Sequence, residues 1–274
     1  MKESDIHYKI IIIVLFLVIF GESILLLSDY DPKTFLNSHS SILIVGNPSP
    51  DLLELLERED IIIEGINVTK TVSDEEVKPG DFIGADIILF TGQEYCPNAV
   101  NAFVNAYFNE TGSRLQKPPA QLVLGNACSR TYESNFVGWG ALVEQKVLAI
   151  REVQDDEYIQ YFAISKASLE EKNGYMIITQ DHPIFNGVKN TETKSVTYQG
   201  YPSNVLAVLS EVKPSAVELR AGKFSWNPAI VEQSFEAGTQ LYFGPRIEKD
   251  EGTFGGFLNY NLFFNTVEYL RTKG

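Results

Sequence analysis

The apolar run at residues 10–27, IIIIVLFLVIFGESILLL, constrains this chain more than any other feature. Its 18 residues, at ~1.5 Å rise each, would reach roughly 27 Å as a helix, close to the thickness of a bilayer core. Glu22 interrupts the run near its far end, where a carboxylate can lie close to the interface at modest cost. The run predicts an uncleaved signal-anchor helix over 10–27, with a cytoplasmic N-terminus at 1–9 and a stalk at 28–40. Lys2 and Lys9 precede it, and Asp29 and Asp31 follow. Basic residues favour the cytoplasmic side, so the bulk of the chain is expected outside the cell membrane, with one pass through it. Glu3, Asp5 and Lys33 run against that bias. Two other readings stay open. A cleaved signal peptide would want a shorter apolar core and small residues at a cleavage site. The run could also be a buried helix of a soluble domain.

Charge removes one class of partner. The chain carries a formal net charge of −14. A surface that acidic repels phosphate backbones, and no basic run offsets it, so nucleic acid is not an expected partner. Asn67-Val68-Thr69 and Asn109-Glu110-Thr111 are glycosylation sequons, consistent with an outward-facing domain. The chain has 2 cysteines and 3 histidines. The cysteines, Cys96 and Cys128, lie far from any Cys-x-x-Cys spacing, and His7, His39 and His182 are scattered, so neither a metal nor a cofactor is expected.

Beyond the stalk the pattern is that of an α/β domain over 41–274. Short apolar, β-branched runs ended by glycine or proline read as buried strands at 42–46, 61–68, 86–90 and 121–125. Helices are expected at 51–59, with Ser49 or Asp51 as cap, and at about 98–108. The acidic stretch 73–84 reads as a loop. The second half adds strands at 147–153, 158–165, 175–179, 205–212, 216–220, 229–234 and 239–243. Apolar positions at 258, 262, 263, 267 and 270 predict a closing helix over 256–271. Buried strands alternating with helices argue for a largely parallel sheet covered on both faces.

Three stretches carry a resemblance. The opening core contains ILIVG, ADIILFTG and QLVLGNACS. Residues 181–188, DHPIFNGV, form a His-Pro-Ile turn. The last third runs from PAIV at 228–231 through GTQLYFG at 238–244 to NYNLFFNTVEYL at 259–270. Together they resemble the class I glutamine amidotransferase-like superfamily, in particular its ThuA-like, non-amidotransferase branches. The resemblance covers most of residues 42–271 and implies a flavodoxin-like sheet, its first four strands ordered 2-1-3-4. It also implies a cysteine at a strand–helix elbow in a Gly-x-Cys-x-Gly context. Cys128 lies near that place, but Asn126 stands two residues before it and Arg130 where the second glycine belongs. No histidine follows His182 to serve as a base for the thiol. Glutaminase activity is therefore not expected.

Strands three and four should be neighbours, and both cysteines follow their carboxyl ends. Cys128 is thus a candidate for half a disulfide with Cys96, for an unpaired structural thiol, or for a nucleophile. Glu94, Arg130, Glu133, Arg246 and Glu248 fall at or near carboxyl strand ends, where open α/β sheets bind ligands. Trp139, between two glycines, and His182, in its turn, complete the candidate ligand set. Two functions follow. One is a membrane-tethered, non-catalytic binding or assembly module with a protein or small-molecule partner outside the cell. The other is a hydrolase or sugar-modifying enzyme acting on a small extracellular substrate.

Overall fold

The computed structural model describes residues 40–58, 65–132, 135–136, 138–150, 166–167, 170–199, 204–222, 227–235 and 238–273. The chain divides into two units, 1–39 and 40–274. The expected membrane span and stalk therefore lie outside the described residues, apart from Ser40. Among the described residues no helix is long and apolar enough to cross a membrane.

The domain opens with β1 (Ser40–Gly46), α1 (Pro50–Leu56), β2 (Ile66–Val72), the short α2 (Pro79–Phe82), β3 (Ile87–Thr91), α3 (Pro97–Tyr107) and β4 (Ala120–Leu124). A small hairpin, β5 (Arg130–Tyr132) and β6 (Asn135–Phe136), leads into α4 (Trp139–Ile150). Then come β7 (Lys166–Ala167), β8 (Lys172–Ile178), a 3-10 turn (Pro183–Phe185), β9 (Thr191–Ser195), β10 (Tyr198–Gln199) and β11 (Asn204–Ser210). The chain closes with α5 (Ala216–Ala221), β12 (Asn227–Phe235), β13 (Gly238–Phe243), a second 3-10 turn (Phe254–Gly256) and α6 (Tyr260–Arg271).

Among the described residues nine strands make one sheet, ordered β2-β1-β3-β4-β13-β12-β11-β8-β9. The expected 2-1-3-4 order is present, and those strands run parallel. β13 joins them in parallel beside β4. From β12 outward every pairing is antiparallel, so the sheet is mixed rather than largely parallel. Alternation along the strands feeds two cores. Leu43, Val45, Ile88, Phe90 and Val123 face α3 and α4, where Phe103 and Trp139 are fully buried. Ile42, Ile44, Ile87, Leu89 and Leu122 face α1 and α6, where Leu55 and Phe263 are fully buried.

Several elements differ from the sequence expectation. The second strand occupies 66–72, later than expected, and residues 61–64 lie outside the described ones. Residues 147–150 finish a helix rather than open a strand. Val143 and Val147, four apart, are both buried there, and so short an apolar run suits either structure. Residues 216–220 are also helical. Ser215 and Glu218 close a capping box, a local signal that outweighs the β-branched Val217. The strand expected at 158–165 lies outside the described residues. The closing helix begins at Tyr260, four residues late, after the 3-10 turn.

One closure matters for the site. β9 is the last strand of the sheet, yet its end returns to the chain just past β13. Val196 donates its amide hydrogen to Gly244 O at 3.0 Å, and Arg246 donates to Lys194 O at 2.8 Å. A Cβ at Gly244 would fall 2.2 Å from Val196 O, so only glycine permits this approach. The second half of the sheet thereby curls over the carboxyl ends of the parallel strands.

Candidate functional site

The parallel strands β1, β3, β4 and β13 end together at Gly46, Thr91, Leu124 and Phe243. A cleft of about 300 Å³ opens above these ends. Its floor is Thr91, Gly92, Leu124, Gly125 and Gly244. Ser49, Asp51 and Leu52 of the β1–α1 turn form one wall. Val196, brought in by the curl, and Glu171, just before β8, form another with Arg246 and Glu248. This is where open α/β sheets bind ligands, because strands diverge there and loops can be varied without disturbing the core.

Local chemistry explains the shape. Gly92 adopts φ +65°, and a Cβ on it would fall 1.8 Å from Asn47 O, so the β1 and β3 turns can cross only without a side chain there. Ser49 accepts the Leu52 amide hydrogen at 3.2 Å, capping α1 and placing Asp51 on the rim. Asp51 accepts the Lys249 amide hydrogen at 3.0 Å, which holds the loop after β13 against α1. On the floor, Tyr198 donates its hydroxyl hydrogen to Gly125 O at 2.7 Å.

The charges in and beside the cleft pair in two groups. Arg246 Nε lies 2.8 Å from Glu248 Oε2, and its Nη1 lies 3.4 Å from Glu171 Oε2. Asn126 donates to Glu94 Oε1 at 2.7 Å, and Arg130 Nε lies 3.0 Å from Glu94 Oε2. Thr91 is 8% exposed, and its hydroxyl has no hydrogen-bond partner among the described residues. It opens into the cleft, where water or a ligand can bond to it.

The sequence candidates are divided by the fold. Arg246 and Glu248 line the cleft, and Glu94 and Arg130 pair directly with each other beside it, Glu94 also accepting from Asn126. Glu133 lies outside the described residues. Trp139 is wholly buried, its ring 3.9 Å from that of Phe90 and 5.5 Å from that of Phe103, as a core residue apart from the cleft lining. Cys128 is wholly buried at φ +48° and is joined to Cys96 by a disulfide, with Cα atoms 5.1 Å apart. It is therefore not a thiolate, the form a cysteine nucleophile must take. Asn67 lies within β2, where Thr69 donates to Ile42 O at 3.1 Å. Asn109 is exposed in a turn and accepts from Thr111 Oγ1 at 2.7 Å.

His182 belongs to a separate cluster. β8 runs antiparallel to β11, which in turn pairs antiparallel with β12, so β8 ends at the sheet edge away from the cleft. Near that end His182 Nε2 lies 3.8 Å from Glu232 Oε2. Glu232 accepts from Asn204 Nδ2 at 3.1 Å and from the Tyr269 hydroxyl. The Tyr269 ring meets the His182 ring edge-on at 4.5 Å. Burial pushes the His182 imidazole below its ordinary value; Glu232 and Asp181 oppose that shift and Lys273 adds to it. Burial and the bond to Glu232 raise the Tyr269 hydroxyl. Among the described residues no group of three or more His, Cys, Asp or Glu is arranged to hold a metal ion.

Sequence reasoning missed Thr91, Asn126, Glu171 and the rim role of Asp51. Thr91-Gly92 was legible as a strand end. Glu171 carried no signal, because it reaches the cleft only through the curl of the second half.

No protein-family model matches the sequence, and no curated protein matches it. Solved structures match the chain at low identity. A ThuA-like protein from Bacteroides uniformis is 12% identical, with 85% of this chain and 91% of that one covered and a TM-score of 0.48. A cytoplasmic protein from Salmonella typhimurium is 13% identical, with 84% and 98% covered and a TM-score of 0.43. PurLQS from Thermotoga maritima is 14% identical, with 85% and 99% covered and a TM-score of 0.41.

Proposed function

We propose that this chain is a membrane-tethered, extracytoplasmic binding module on a glutamine amidotransferase-like domain of the ThuA-like kind. In this reading its small-molecule ligand occupies the cleft at the carboxyl ends of β1, β3, β4 and β13. The observation that carries the reading is the cleft of about 300 Å³ at the carboxyl ends of the parallel strands, with Thr91 on its floor. The Cys96–Cys128 bridge supports it twice over. It removes the thiol that a nucleophilic mechanism would need, and such bridges persist in oxidising compartments. The apolar run at 10–27 supplies the tether.

A thermal-shift screen of the full-length, detergent-solubilised protein against small polar metabolites tests it. A ligand that binds only the folded state raises Tm, by the equivalent of roughly 2.7 kcal/mol at a hundred times its Kd. Asn126→Trp places an indole in the cleft. The expected result is one or more compounds that raise the wild-type Tm and leave the variant unmoved. Compounds that shift both proteins equally, or no shifts at all, would contradict the cleft as the binding site. Protease added to intact cells checks the tether and should remove the residues beyond 40.

A further inference from the structure

The fold treats the two sequons in opposite ways. Asn67 lies in β2, where it pairs with Ser41 of β1 and is half-buried. The hydroxyl of that sequon, on Thr69, is spent on Ile42 O at 3.1 Å. An enzyme that modifies Asn67 in the folded domain would first have to peel β2 from β1. Asn109-Glu110-Thr111 is a surface turn, with all three residues exposed. Asn109 N donates to Ser113 O at 3.0 Å and Gly112 N to Asn109 O at 2.9 Å, so the turn closes on itself outside any helix or strand. Asn109 Oδ1 accepts from Thr111 N at 3.1 Å, from Ser113 N at 2.8 Å and from Thr111 Oγ1 at 2.7 Å. The carboxamide is planar, so anchoring its oxygen inward turns Nδ2 outward. Nδ2 donates no hydrogen bond among the described residues.

The position of the turn matters as well. It follows the end of α3 at Tyr107 and precedes β4, which starts at Ala120 and runs up to the cleft at Leu124. It therefore lies at the amino ends of the parallel strands, the pole opposite the cleft. From these observations we infer that Asn109 carries an N-linked glycan and Asn67 does not. The donor is an oligosaccharide linked to a lipid phosphate. Asn109 Nδ2 forms a bond to the anomeric carbon, the bond from that carbon to the phosphate oxygen breaks, the lipid phosphate leaves with the electron pair, and Nδ2 gives up one proton. A glycan at this pole leaves the cleft open. The inference rests on the extracytoplasmic part of the proposed function, which the Cys96–Cys128 bridge supports.

Two arms test it. In the first, a purified oligosaccharyltransferase that recognises Asn-x-Ser/Thr, with its lipid-linked donor, is given the folded full-length protein in detergent, and peptide mass spectrometry measures occupancy at each sequon. Asn109 should be modified and Asn67 should not. Asn109→Gln and Thr111→Ala should each abolish the modification, while Thr111→Ser and Asn67→Gln should keep it. Thr111→Ala retains the backbone bonds to Asn109 Oδ1, and thermal unfolding of each variant confirms that it is folded. In the second arm the same proteins are expressed in a secretory-pathway host. Endoglycosidase should remove mass from the wild type and from Asn67→Gln, and none from Asn109→Gln. Modification of the folded protein at Asn67, or at neither sequon, would overturn the inference and leave the outward reading standing. Transfer by the purified enzyme with no glycan in the host would overturn it too. If protease accessibility then places the domain on the cytosolic side, the outward reading falls with it; if the domain is on the outer side, only the inference falls.

Discussion

Asp74 accepts the amide hydrogen of Ala99 at 2.7 Å and so caps a helix to which it does not belong. The residue in the cap position of α3, Cys96, makes no side-chain cap bond, and Pro97 has no amide hydrogen to give. Asp74 reaches across from the end of β2 and also accepts from the Asn98 amide and side chain. Burial raises its pKa and outweighs these bonds. Asp74→Ala should lower stability by about 1–2 kcal/mol in denaturant unfolding, whereas Asp74→Asn, which keeps an acceptor, should cost less than half of that. Equal losses would mean that the charge, not the cap, matters.

The Cys96–Cys128 bridge closes an interval of 32 residues and ties the β3–α3 loop to the loop after β4. Replacing both cysteines by alanine should cost roughly 3–4 kcal/mol on the chain-entropy scale, read as a lower urea midpoint for the full-length protein. Thiol labelling of unreduced, denatured wild type should give no modified cysteine. Two labelled cysteines would remove the bridge from the account.

His182 makes stability depend on pH in a defined direction. Its folded pKa lies below its ordinary value of 6.5, chiefly through burial. As pH falls through 6.5 the unfolded chain takes up a proton that the folded chain resists. Stability present above that value is therefore lost between 6.5 and the lower folded pKa. Wild-type Tm should fall between pH 7.5 and 5.5, and His182→Gln should flatten part of that fall. A variant as acid-sensitive as wild type would assign the loss to other groups.

How much of this was legible depended on how local the cause was. Strands β1, β3 and β4 announce themselves as short apolar runs ended by glycine or a turn, and their order came with the resemblance rather than from the pattern. Val147 to Ile150 misled because four apolar residues suit either structure. Their helix is set by the wall of Phe90 and Phe103 against which Trp139 packs. The Ser215–Glu218 box that makes 216–221 a helix is present in the sequence, and a cap of that kind decides so short a segment. At the site, Arg246 and Glu248 could be placed because they follow a strand's carboxyl end by a few residues. Glu171 could not, since it arrives through the contacts of Val196 and Arg246 with the β13 exit. Nor could the pairing of His182 with Glu232, 50 residues apart.

The central claim is that ligand occupies the cleft over β3, β4 and β13. Hydrogen–deuterium exchange of the full-length protein with and without a saturating compound that raises Tm in the metabolite screen tests it most directly. The account predicts slower exchange in peptides covering 91–93, 124–126 and 244–248, with 182–186 and 265–269 unchanged. Protection confined to the His182–Glu232–Tyr269 cluster, or absent from all three cleft segments while Tm rises, would contradict it.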